Sequence, residues 1–285
     1  MARKQVQEIF EEYIGSRRAA GVCDGYVRAL YCYLRPFGRF TAGRVLPDLR
    51  ARDLDEFLLQ TTWGPITRNQ VRQKIIGFAN WAKGRGFLPK EWSEFDGAMT
   101  FTEPVNEVGI LTPEQMKRLL GVAGGHLITP FLVIGGFAGL RTAEIKRLDW
   151  KNVNLERGFI EVRADICKTK ARRLVPISAN LRAWLEPFAQ PCGAVVLQPR
   201  LHYTIRQLAR RAGVTWSKNA LRHSFVSYRL AATNDGAKTA LEAGHDQAIL
   251  FRHYRALVSE PQAQEWFSIM PPAGLVKIVP GRPPR

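Results

Sequence analysis

Acidic residues are in short supply: 25 Asp and Glu face 42 Lys and Arg in 285 residues, for a formal net charge of +17. The cations run along the whole chain rather than gathering in one tail. Such a surface is not electrostatically neutral. It points to a polyanionic partner, because each phosphate neutralised releases condensed counterions and adds sequence-independent affinity. Cysteine is also scarce. Cys23, Cys32, Cys167 and Cys192 show no CxxC or Cys/His spacing, so neither a disulfide framework nor a zinc site is indicated; they are expected to be reduced, mostly structural thiols. No apolar run approaches the roughly 20 residues that span a bilayer, and Met1-Ala2-Arg3-Lys4-Gln5-Val6 leads into an amphipathic pattern rather than a signal peptide. No membrane association is expected, and the cytoplasm is the default compartment. Neither an internal repeat nor an Asp/Glu/His cluster of metal-binding type is evident, so no metal or cofactor is expected.

What is present is 46% hydrophobic residues, enough for two cores. Residues 1–96 read as helices. Val6, Ile9, Phe10, Tyr13 and Ile14 recur at helical spacing, and Thr67-Arg68-Asn69-Gln70 has the form of a capping box that opens a helix burying Val71, Ile75, Phe78, Ala79 and Ala82. Arg68, Arg72 and Lys74 project from its other sides. Residues 97–109 read as a linker. A second domain, 110–271, opens on the capping box Thr112-Pro113-Glu114-Gln115 and continues into a buried helix over Leu127 to Phe137. Two short strands, Gly158 to Arg163 and Arg173 to Ile177, flank a basic turn. Residues 272–285, rich in Pro and Gly, form a tail. The expected class is mainly α with a small antiparallel sheet, a helical N-terminal domain preceding an α+β domain.

Four signals in the second domain share one order: Gly139-Leu140-Arg141-Thr142-Ala143-Glu144-Ile145; Lys168 in the basic turn; Asn219-Ala220-Leu221-Arg222-His223; and Gly244-His245 with Tyr254 nine residues later. Each is weak alone, but their order and spacing are specific. Together the set resembles the tyrosine recombinase (phage integrase) family, which includes the Xer-type recombinases. The resemblance implies a helical core-binding domain followed by a catalytic domain, with Arg141, Glu144, Lys168, Arg222, His245 and Tyr254 in the family's catalytic positions and Asn219 in the remaining one. It implies double-stranded DNA as substrate and strand cleavage through a covalent 3′-phosphotyrosyl link, without a metal.

The residue types suit that chemistry. Arg141 and Arg222 can clamp a phosphate with planar, permanently charged donors. A phenol ionises near pH 10, so Tyr254 needs the cationic field of His245 and the two arginines. The resemblance assigns proton donation to the leaving 5′ oxygen to Lys168. Glu144 is expected to orient Arg141 or its neighbours. Arg68, Arg72, Lys74, Lys170, Arg172 and His223 are the expected further DNA contacts, and Trp150, Trp184 and Trp216 are expected to be core or groove-lining.

Asn219 departs from the family, whose box usually begins with histidine. An amide can hydrogen-bond a phosphate but cannot exchange a proton near neutral pH. A slower enzyme is expected, since one acid–base contact contributes on the order of 10² to 10⁴ in rate. His223 cannot replace the imidazole, because adjacent helical positions point about 100° apart. The same departure would suit a weakened or non-catalytic DNA-binding protein on this scaffold. Beyond Tyr254, Ala263 to Met270 forms a short segment whose apolar face must dock, either on its own domain or on a neighbour. The resemblance implies the neighbour, hence a monomer in free solution that becomes a homotetramer on paired DNA sites.

Overall fold

Apolar periodicity and proline placement together set the helices of the N-terminal unit. A computed structural model describes residues 4–104, 109–166, 171–244 and 258–276. The chain divides into two compact units, Met1–Asn106 and Glu107–Arg285. In the first, α1 (Val6–Ala19) buries Val6, Ile9, Phe10, Tyr13 and Ile14. It packs with α2 (Asp24–Phe40), α3 (Ala51–Gln60) and α4 (Pro65–Gly84). The expected capping box over Thr67 to Gln70 is not used. Helix α4 starts three residues earlier, with Gly64 rather than Thr67 as N-cap, because Pro65 has a helical φ already fixed and no N–H to leave unsatisfied in the first turn. Cys23, Cys32 and Cys192, expected to be mostly structural, are free and exposed.

The second unit opens as its sequence predicts. Thr112 caps α5 (Pro113–Ala123), accepting from the Gln115 amide at 3.2 Å while Gln115 Oε1 accepts from Thr112 N–H at 2.9 Å. Helix α6 (Thr129–Phe137) is buried along its whole length. A three-stranded antiparallel sheet follows, β1 (Val153–Asn154), β2 (Phe159–Val162) and β3 (Arg173–Pro176), in register from Phe159↔Pro176 to Val162↔Arg173. Helices α7 (Thr142–Ile145), α8 (Ala179–Leu185), α9 (Leu201–Arg211), α10 (Ala220–Thr233), α11 (Gly236–Ala243) and α12 (Glu260–Phe267) are its other α-helices among the described residues.

Small residues on α6 let two helices approach it. A Cβ at Gly135 would lie 2.9 Å from a Leu221 methyl on α10, and one at Gly136 would lie 2.7 Å from Met116 Cε. Helix α10 is thereby seated where Arg222 meets the end of α6. Helix α12 docks on its own unit. Trp266 is fully buried, stacks on Tyr228 at 4.4 Å and donates its indole N–H to the Gly136 carbonyl at 3.0 Å. Trp184 donates to the Ile269 carbonyl at 2.9 Å. Of the two docking places open to this apolar face, its own domain or a neighbour, the single chain shows the first. Its bulk, Trp266 with Ala263 and Ile269, is matched by a slot in the same core.

Candidate active site

The turn between α6 and α7 is built around a glycine. Gly139 has φ +66°, and a Cβ there would lie 2.1 Å from the Phe225 ring. Its carbonyl, thus exposed to α10, accepts a hydrogen bond from Arg222 Nη1 at 2.6 Å; Arg222 itself is buried. Two residues on, Arg141 caps α7. Its backbone N–H donates to Glu144 Oε2 at 2.9 Å, its Nη1 to Glu144 Oε1 at 3.0 Å and its Nη2 to the Gly244 carbonyl. The guanidinium stays partly exposed. Gly139→Ala should destabilise the second unit by about 3 kcal/mol, combining left-handed strain with overpacking against Phe225. Thermal unfolding checks this; an unchanged melting temperature would mean that Phe225 yields freely.

Glu144 is the buried centre of this cluster. It also accepts from Arg173 of β3, Nη1 to Oε1 at 3.2 Å and Nη2 to Oε2 at 2.7 Å. Burial alone would raise the carboxyl's pKa, but the hydrogen bonds from Arg173 and the Arg141 amide outweigh it and hold Glu144 down at about 2. It is a carboxylate throughout the neutral range. Helix α11 is tied in from two directions. Arg229 of α10 grips the Glu242 carboxylate with bonds of 2.7 and 2.8 Å, and Arg173 Nε donates to the Glu242 carbonyl at 3.0 Å. Gly244 ends that helix in the left-handed conformation, φ +63°, which turns its carbonyl toward Arg141.

Asn219 is itself left-handed, φ 60° and ψ 19°, and as N-cap of α10 makes no side-chain cap bond. Asparagine and histidine both tolerate this region better than most residues. With Arg222 it lines a cavity of about 590 Å³, which Thr142, Lys146, His202, Arg206, Trp216 and Lys218 also line. The basic lining was not anticipated from sequence, although Trp216 is groove-lining and Trp150 and Trp184 are core residues as expected. A helical pattern does carry part of the signal: Ile205, Leu208 and Ala209 bury one face of α9, which leaves His202 and Arg206, four apart, on another.

Lys168, Lys170, His245 and Tyr254 lie outside the described residues. Arg172 is exposed and pairs with Glu161 across the hairpin at 2.7 Å. His223 is half-buried at the fourth position of α10, its backbone N–H donating to the Asn219 carbonyl at 2.9 Å. In the first unit, the three residues expected to contact DNA each have a partner within the unit. Arg68 donates to the Thr61 carbonyl at 2.7 Å and covers the Phe101 ring; Arg72 donates to the Ala98 carbonyl at 3.1 Å; Lys74 lies 5.1 Å over Tyr26.

Comparison with known proteins decides the class. Residues 110–258, more than half of the chain, match the phage integrase family. Tyrosine recombinase XerA of Thermococcus onnurineus is 30% identical over 245 residues, spanning 79% of this chain and 82% of that protein. The chain belongs to the phage integrase family of tyrosine recombinases. XerA of Thermococcus kodakarensis is 32% identical over 140 residues, and this match spans 42% of the chain and about half, 48%, of that protein. A lambda integrase dimer bound to a COC′ core site shares the recombinase fold, with a TM-score of 0.71 at 12% identity, covering 90% of this chain and 98% of that one. Among the described residues no helix is long and apolar enough to cross a membrane.

Proposed function

We propose that this recombinase cleaves and rejoins DNA at specific sites through a 3′-phosphotyrosyl bond to Tyr254, without a metal. The observation that carries the reading is the convergence of two arginines from distant parts of the chain. Arg222 bonds the carbonyl of Gly139, 83 positions away, in the same turn that presents Arg141. Both guanidiniums are fixed before substrate arrives, so little reorganisation is needed when charge develops on the phosphate oxygens. Glu144 positions Arg141, Lys168 protonates the leaving 5′ oxygen, and His245 supports the charge on Tyr254. Lys146, Arg206 and Lys218 in the adjoining cavity contact the duplex backbone, with Arg172, Lys170 and His223 nearby in sequence to the reacting groups.

Double-stranded DNA is the partner, and the active assembly is a homotetramer on paired sites, formed from monomers in free solution; the DNA-bound lambda integrase dimer supports a multi-protomer arrangement. Incubation with nicked duplexes from the flanks of the encoding gene tests the reading through a covalent protein–DNA adduct. Tight binding without any adduct would favour the second reading, a non-catalytic DNA-binding protein, which Asn219 alone supports. Asn219→His separates the two. The left-handed backbone accepts either residue, so the imidazole should raise cleavage at neutral pH by on the order of 10²-fold. An unchanged or lower rate would mean that the pocket has adapted to the amide.

A further inference from the structure

Four hydrogen bonds converge on the Glu144 carboxylate, two from Arg141 and two from Arg173, which fills the acceptor positions a carboxylate offers. Arg173 is the first residue of β3 and takes an inward position, its side chain only 5% exposed. A further contact, Nε to the Glu242 carbonyl, ties it to the end of α11. A Cβ at Gly244 would lie 3.2 Å from the guanidinium carbon of Arg173. One side chain therefore touches the carboxylate that holds Arg141 and packs beneath the turn whose carbonyl also holds Arg141.

Charge makes the arrangement informative. Glu144 and Arg141 alone would be a neutral pair, and at short range the carboxylate would cancel much of the field Arg141 exerts on a phosphate. With Arg173 included, the cluster holds two guanidiniums and one carboxylate among the described residues, a net positive charge. A buried ion pair contributes little to stability compared with an apolar replacement, so stability alone does not account for the third member.

We propose that Arg173 is a positioning residue for strand cleavage: it counter-charges Glu144 and fixes the Gly244 turn, so that Arg141 keeps both its orientation and its charge for the scissile phosphate. This rests on the recombinase reading above. Arg173 would act through Arg141 and touch no DNA.

The test is the single-turnover cleavage rate on a nicked duplex with the full chain at saturating concentration, where an unfolded fraction does not enter, alongside duplex affinity. Arg173→Lys keeps the charge but not the forked geometry and should slow cleavage about 10-fold, with affinity changed less than about 3-fold. Arg173→Met should slow it further, on the order of 10²-fold. Adding Glu144→Gln to Arg173→Met should recover at least about 10-fold, because a neutral amide no longer cancels Arg141. Should Arg173→Met fail to fold, Arg173→Lys decides. A Lys variant within 2-fold of wild type would overturn the proposal, as would a double variant no faster than Arg173→Met or losses confined to affinity. Wild-type protein that binds the duplex but forms no adduct would overturn the recombinase reading itself, and the proposal with it.

Discussion

Tyr254→Phe is expected to take covalent adduct formation below detection while leaving duplex affinity within about 2-fold, as for a substitution that removes no packing. The ring persists and only the attacking oxygen is lost. The other two tyrosines of the second unit sharpen the expectation. Tyr228 is buried under Trp266, donates its hydroxyl to the Leu111 carbonyl at 2.9 Å and has its pKa pushed up to about 12 by burial. Such a phenol neither ionises nor reaches a phosphate. Tyr203 is exposed on α9, 61% accessible, and serves as the control. Tyr203→Phe should leave the adduct yield unchanged. Adduct formation by Tyr254→Phe at the wild-type level would remove Tyr254 from the mechanism.

The second large effect concerns α12. Trp266→Ala should destabilise the second unit by about 3 to 5 kcal/mol, the range for deleting a fully buried aromatic. The loss combines the stack on Tyr228, the edge contact with Phe137 and the indole bond to Gly136. Against a typical domain stability of roughly 5 to 15 kcal/mol, that is a large fraction. Truncation before Pro261 should be worse. It also removes Ala263 and Ile269 from the core, the acceptor for Trp184 and the Glu265 partner of Lys117 at 2.6 Å. Because α12 docks on its own unit, truncation should weaken single-site and paired complexes alike in a gel-shift titration. Loss of paired complexes alone, with an unchanged melting temperature, would mean instead that this helix serves a neighbouring protomer.

How far the sequence reaches depends on whether a signal is local. The Thr112 capping box and the helical face of α1 were legible because neighbours three and four residues apart determine them. The Thr67 box misled because Pro65, two residues earlier, already provides a better start. Strand β1 was missed for the opposite reason: two residues are too few to show alternation. At the proposed site, order and spacing single out Arg141, Glu144, Asn219 and Arg222, and the structure brings Arg222 to the turn that carries Arg141. Arg173 is not singled out. In sequence it follows Arg172 as one more hairpin cation, and only the pleat, which sends Arg172 to solvent and Arg173 inward to Glu144, separates them. His202, Arg206 and Lys218 meet at one cavity through tertiary packing that no local pattern encodes.

The most direct measurement is the chemical identity of the linkage. Wild-type protein trapped on a nicked duplex, digested with protease and nuclease and read by mass spectrometry, is predicted to yield one modified peptide, with a 3′-phosphate joined to the Tyr254 oxygen. A duplex bound at saturation with no modified peptide, or with the nucleotide on Tyr203 or any other residue, would contradict the account.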